Sequence, residues 1–129
     1  SLRESRDAKI FTYSKIKSII SFFDSQQVKD SIDEIQKLQG EVYQASVGFY
    51  GMTTAQRVEH IDKMEILLEK QRILHTRMEL DPDPAAKEML NKMRKVAVGL
   101  GIPEEISFNE LFQQMEHIIK TMKMGMQST

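Results

Sequence analysis

The chain has no cysteine and no tryptophan, and only three prolines and six glycines in 129 residues. Without cysteine there is no disulfide, no thiolate nucleophile and no cysteine-bound zinc or iron–sulfur centre. Apolar runs of a few residues fall far short of the roughly 20 that cross a bilayer, and no signal-peptide pattern is present. A soluble cytoplasmic protein is the expectation. Period-two alternation is missing throughout, which argues against a sheet. Serine nucleophile elbows, phosphate-binding glycine loops and dinucleotide fingerprints are missing as well.

What the chain does have is an ordinary globular balance, 29% charged and 40% hydrophobic, in a length suited to one domain. Acidic and basic residues nearly cancel, 19 against 18, but unevenly along the chain. Residues 1 to 22 hold Arg3, Arg6, Lys9, Lys15 and Lys17 against Glu4 and Asp7. There Ile16, Ile19, Ile20 and Phe23 share one helical face beside Lys15 and Lys17. The segment reads as a basic amphipathic helix docking on its own core, or as a leader. It lacks the dense Lys/Arg cluster of a lipid-binding helix, which argues against a membrane partner.

The remainder, residues 23 to 129, reads as one all-α domain: a long antiparallel helical hairpin and two shorter helices in a helical bundle. Asp24 and Gln27 have capping-box spacing, with Phe23 and Val28 as a hydrophobic staple. They predict a helix over about 24–50. Its apolar stripe is Val28, Ile32, Ile35, Val42 and Phe49, flanked by Leu38 and Ala45. Polar Gln39 and Ser46 on that stripe favour register over strength, and Gly51 is placed to end the helix in a left-handed conformation. Thr53 with Gln56, or Thr54, caps a second helix over 54–80 that presents Val58, Ile61, Met64, Leu67, Leu68, Ile73, Leu74 and Met78. The prolines of Asp81-Pro82-Asp83-Pro84 stop it.

Asp83-Pro84 is the start signal of a third helix over 84–100, burying Met89, Leu90, Met93, Val96, Ala97 and Leu100, with Gly99 and Gly101 as stops. Ser107 and Glu110 open a fourth over 107–124, with Leu111, Phe112, Met115, Ile118, Ile119 and Met122 on one side and Gly125 at its end.

Three stretches carry a resemblance: Phe22-Phe23-Asp24-Ser25, the run Arg72-Ile73-Leu74-His75-Thr76-Arg77-Met78-Glu79-Leu80, and Leu111-Phe112-Gln113-Gln114-Met115. Over about residues 22–124 the chain resembles a short all-helical family of unknown function found in cyanobacteria and their phages. The resemblance implies a helical fold and a cellular setting, and transfers no site. At Asp81-Pro82-Asp83-Pro84 the chain departs from that family's usual Glu-Leu-Ser continuation.

Catalysis finds little support. Di-iron bundles use inward Glu-x-x-His pairs, but Arg57, Arg72 and Gln114 precede His60, His75 and His117 by three residues. No metal, cofactor or catalytic residue is therefore expected. His60, between Glu59 and Asp62, is expected in solvent; His75 is expected packed or hydrogen-bonded near the buried stripe. Glu116 and Lys120 have helical pairing spacing beside His117.

Binding is the remaining class. Two rods of about 26 residues, each about 40 Å long, carry more apolar stripe than shorter partners can cover. The expectation is a homodimer whose core and interface include Ile32, Ile35, Val42, Ile61, Met64 and Leu68. Nine methionines add adaptable surface. Met89, Met93 and Met115 read as core filling, while Met122 and Met126, with Lys92, Arg94 and Lys95, read as a surface for an unknown protein partner. The alternative is a DNA-associated regulator using a helix-turn-helix-like segment over 87–123. Against nucleic acid, Glu104, Glu105 and Glu110 would face phosphate at the start of its second helix.

Overall fold

The computed structural model describes residues 21–127. Among them lie four α-helices, α1 (Gln26–Val47), α2 (Thr54–Leu80), α3 (Pro84–Gly99) and α4 (Phe108–Gln127), and no strand. The amphipathic face expected over residues 1–20 falls outside the described residues.

The chain enters through a 3-10 turn, Phe22–Asp24, rather than through a helix begun at Asp24. The Ser21 carbonyl accepts from Asp24 N–H, and the Asp83 carboxylate accepts from Phe22 N–H, so the backbone there is fixed by partners other than Gln27. Ser25 occupies the N-cap position of α1 without a side-chain bond, and Gln26 donates to Asp30 instead. The capping box expected at Asp24 and Gln27 is thus replaced.

The stop of α1 also differs from expectation. Gly51 is not left-handed; among the described residues the glycine with positive φ is Gly101. A second 3-10 turn, Phe49–Gly51, closes on Gly48, and the Arg57 guanidinium donates to the Phe49 and Tyr50 carbonyls while lying 5.1 Å from the Phe49 ring centre. These bonds hold the carbonyls of the turn itself, with no left-handed glycine.

The expected cap of α2 forms in full. Thr53 Oγ1 accepts from Gln56 N–H while the Gln56 side chain accepts from Thr53 N–H. Asp83 caps α3 through Ala85 N–H with Pro84 next, where a missing N–H costs nothing. α3 ends in a Schellman motif: Ile102 N–H reaches the Ala97 carbonyl and Gly101 N–H the Val98 carbonyl, with Gly101 at φ 94°. Ser107 accepts from Glu110 N–H at the start of α4. α4 runs through Gly125 to Gln127, because one glycine lowers helix propensity by only about 1 kcal/mol.

α2 is the element against which α1, α3 and α4 all pack. Ser46 meets His60, Glu41 meets Lys63 and Glu34 meets Lys70, so positions rise on α2 as they fall on α1. Along α4 the order is likewise reversed, with Phe108 and Phe112 at His75 and Lys123 at Asp62.

Two apolar clusters hold the elements. One gathers buried Phe22, Val28, Met78 and Ala86, with Ile32, Leu74 and Leu90 against them. The other gathers Ile61, Leu68, Phe112 and Ile119, with Met64, Phe108, Met115 and Met126. Ile61 is fully enclosed, worth about 1.5–3 kcal/mol relative to exposure.

Several stripe positions face out instead. Ile73 on α2, Met89 and Val96 on α3, Leu100 at its C-cap, and Ile118 and Met122 on α4 are exposed. On α3 the residues most deeply buried are Ala86 and Ala97, with Leu90 and Met93 half-buried beside them, while Met89 and Val96 turn outward.

Candidate functional site

An apolar concavity lies where α1, α2 and α4 meet. Val42 of α1, Met64, Leu67, Leu68 and Gln71 of α2, and Met115, Ile118, Ile119 and Met122 of α4 line a groove of about 240 Å³. Its α4 wall is one helical stripe at three- and four-residue spacing, held in place by Ile119 and Phe112 in the core beneath. The ion pair from Lys123 to Asp62, at 2.7 Å, fixes the C-terminal half of α4 on α2 and holds the lysine ammonium above its ordinary value. Ile118 is 57% exposed and Met122 37%. The apolar wall is therefore built but not closed.

A second cleft, about 450 Å³, shares Leu68 and is lined by Glu65, Glu69, Lys70, Arg72 and Glu116 together with Ile66, Ile73 and Phe112. Arg72 and Glu69 are joined by two hydrogen bonds, which lower the Glu69 carboxyl below its usual range and raise the guanidinium. These groups satisfy one another.

The expected interface residues divide by burial. Ile35, Ile61 and Leu68 are buried within the subunit, Ile32 and Met64 are half-buried against the two clusters, and half-buried Val42 lines the groove with Met64 and Leu68. The expected partner surface is scattered. Lys92 is exposed and 3.8 Å from Glu88, and Lys95 is exposed. Arg94 is not a free surface cation: it donates to the Ile106 carbonyl and lies 4.4 Å from the Phe108 ring centre, tying α3 to the start of α4. Met122 lines the groove, whereas Met126 packs against the α2–α4 cluster. Arg94 in this role removes a phosphate contact from the helix-turn-helix-like reading.

The histidines divide too. His117 is exposed, beside the Glu116–Lys120 pair at 3.0 Å. His75 is buried as expected, its Nδ1 2.7 Å from Glu79 and its ring against Phe108 and Phe112. His60, expected in solvent, is buried, since it faces α1 rather than the acidic side of α2. Its Nε2 lies 3.5 Å from Ser46 Oγ and its ring 5.8 Å from the Phe49 ring. The Ser46 hydroxyl donates its single proton to the Val42 carbonyl at 2.8 Å, so toward His60 it accepts. That arrangement leaves no base on the serine, and the pair is a helix-to-helix tie.

Sequence spacing signalled the stripe Met115, Ile118, Ile119 and Met122 but not that its outer half stays open. The burial of His60 had no local signal, because it depends on the facing of α1. Among the described residues no group of three His, Asp or Glu is placed to hold a metal ion, and no helix is long and apolar enough to cross a membrane. No curated protein and no solved structure matches the chain. The model of one family matches residues 20–126, nearly the whole described fold, and on it the chain belongs to the DUF1825 family, a domain of unknown function.

Proposed function

We propose that this chain is a non-catalytic helical interaction protein, an antiparallel α1–α2 hairpin carrying α3 and α4 in a bundle, that acts in the cytoplasm as a homodimer. The observation behind this reading is the open apolar wall of Leu67, Ile118 and Met122 over the groove between α1, α2 and α4. Apolar surface left open beside a groove is a place where a partner can seat, and a two-fold pair is the commonest closed solution. The resemblance to proteins of cyanobacteria and their phages supplies the setting. Regulation through a further protein partner is part of the same reading.

Introducing a charge on the wall tests it. Ile118→Glu is expected to leave the helical circular dichroism intact and to convert a dimer into a monomer by light scattering. A dimer that survives both Ile118→Glu and Met122→Glu would show that the wall is not the interface.

A further inference from the structure

His75 is a buried base at a junction of three helices. It sits on α2 with 5% of its surface exposed, between the Phe108 ring at 4.8 Å and the Phe112 ring at 5.7 Å, both from α4. Its Nδ1 is 2.7 Å from Glu79 Oε1, and its Nε2 is buried without a hydrogen-bond partner. The neutral ring therefore carries its proton on Nδ1, donated to Glu79, and keeps a bare lone pair at Nε2. A second proton has one place to go. It would create an N–H and a positive charge inside an apolar contact, where neither is solvated.

We propose that His75 is an acid-sensitive latch: uptake of a proton at Nε2 drives the ring out of its contact with Phe108 and Phe112 and frees the N-terminal half of α4 from α2. The groups facing the ring pull in both directions, with burial the stronger influence. From its own helix the Glu79 carboxylate favours the cation, from α3 the Arg94 guanidinium opposes it, and α4 presents the two phenyl rings. Burial is the largest influence and holds the imidazole below its ordinary value, with Glu79 pulling the other way and Arg94 adding to the depression. Arg94 also carries the loop before α4, through Ile106 and Phe108. Unseating Phe108 thus loosens both ties of that helix start, while the Lys123–Asp62 pair retains its far end. The latch is independent of the interaction reading.

The test is a nuclear magnetic resonance titration of the full chain from pH 7.5 to 4.5, following the His75 ring carbons and the cross-peaks between His75 and Phe108 and Phe112. The expected result is a titration midpoint below about 6.5, with those cross-peaks and the amide shifts of residues 108–115 lost at the same midpoint. Cross-peaks between α1 and α2 should persist. In His75→Phe, which cannot take the proton, the α4 signals should hold through that range. Cross-peaks that survive ring protonation overturn the latch, as does loss of all four helices together or an unchanged α4 transition in His75→Phe. If that variant does not fold, the wild-type cross-peaks decide alone.

Discussion

Asp83 serves two backbone starts at once. One carboxylate accepts from Ala85 N–H at the first turn of α3 and from Phe22 N–H at the entry of the chain, and these bonds, the Phe22 one foremost, hold it below its ordinary carboxylate value. A carboxyl depressed in the fold stabilises it above the unfolded value, near 3.8, and that contribution is lost as pH falls through the folded value. Asp83→Ala is expected to lower the melting temperature at pH 7 well beyond the change from Lys92→Ala, which touches only an exposed pair. Thermal scans of both variants check this, and equal shifts would deny Asp83 its double role. His75 has the opposite chemistry and acts in a higher window. A base depressed in the fold is bound to fewer protons than in the unfolded chain, so stability is complete above about 6.5 and declines as pH drops from there toward the folded value. Urea midpoints at pH 7.5 and 5.5 should differ in wild type and converge in His75→Phe.

At the scale of the helix, two glycines behave oppositely. Gly101 closes the Schellman motif at φ 94°, where a Cβ is strained, and Gly101→Ala is expected to destabilise by about 1 kcal/mol or more. Gly40 lies inside α1 with open space where a Cβ would go, so Gly40→Ala should stabilise by roughly 0.5–1 kcal/mol. Urea unfolding of each variant measures the pair, and a shared sign would contradict the assignment. Helix starts such as Thr53 with Gln56 and Asp83 with Pro84 were legible because a cap is a local contract between residues two or three apart. The start at Asp24 escapes a local reading because the turn it belongs to is held through Phe22 N–H by Asp83, 61 positions away. Apolar spacing located the faces of α2 and α4 correctly through Ile61, Leu68, Phe112 and Ile119. It overstated α3, where close approach selects Ala86 and Ala97 and leaves Val96 and Leu100 outside.

Among the described residues a buried core, in two clusters, stands against an apolar wall left open over the groove. Leu68 belongs to the core: Leu68→Ala is expected to cost ~2–5 kcal/mol in urea unfolding, whereas a change within about 0.5 kcal/mol would place it at the surface. Leu67, Ile118 and Met122 belong to the wall. The candidate groove could not be read from spacing alone, since the same stripe is compatible with a covered and an open wall, and only the relative placement of α1 and α4 distinguishes them. Sedimentation equilibrium of the wild-type chain at micromolar concentration tests the central claim most directly. Twice the chain mass, falling to one chain mass in Ile118→Glu, is the expected result; a folded wild-type monomer across that range would contradict it.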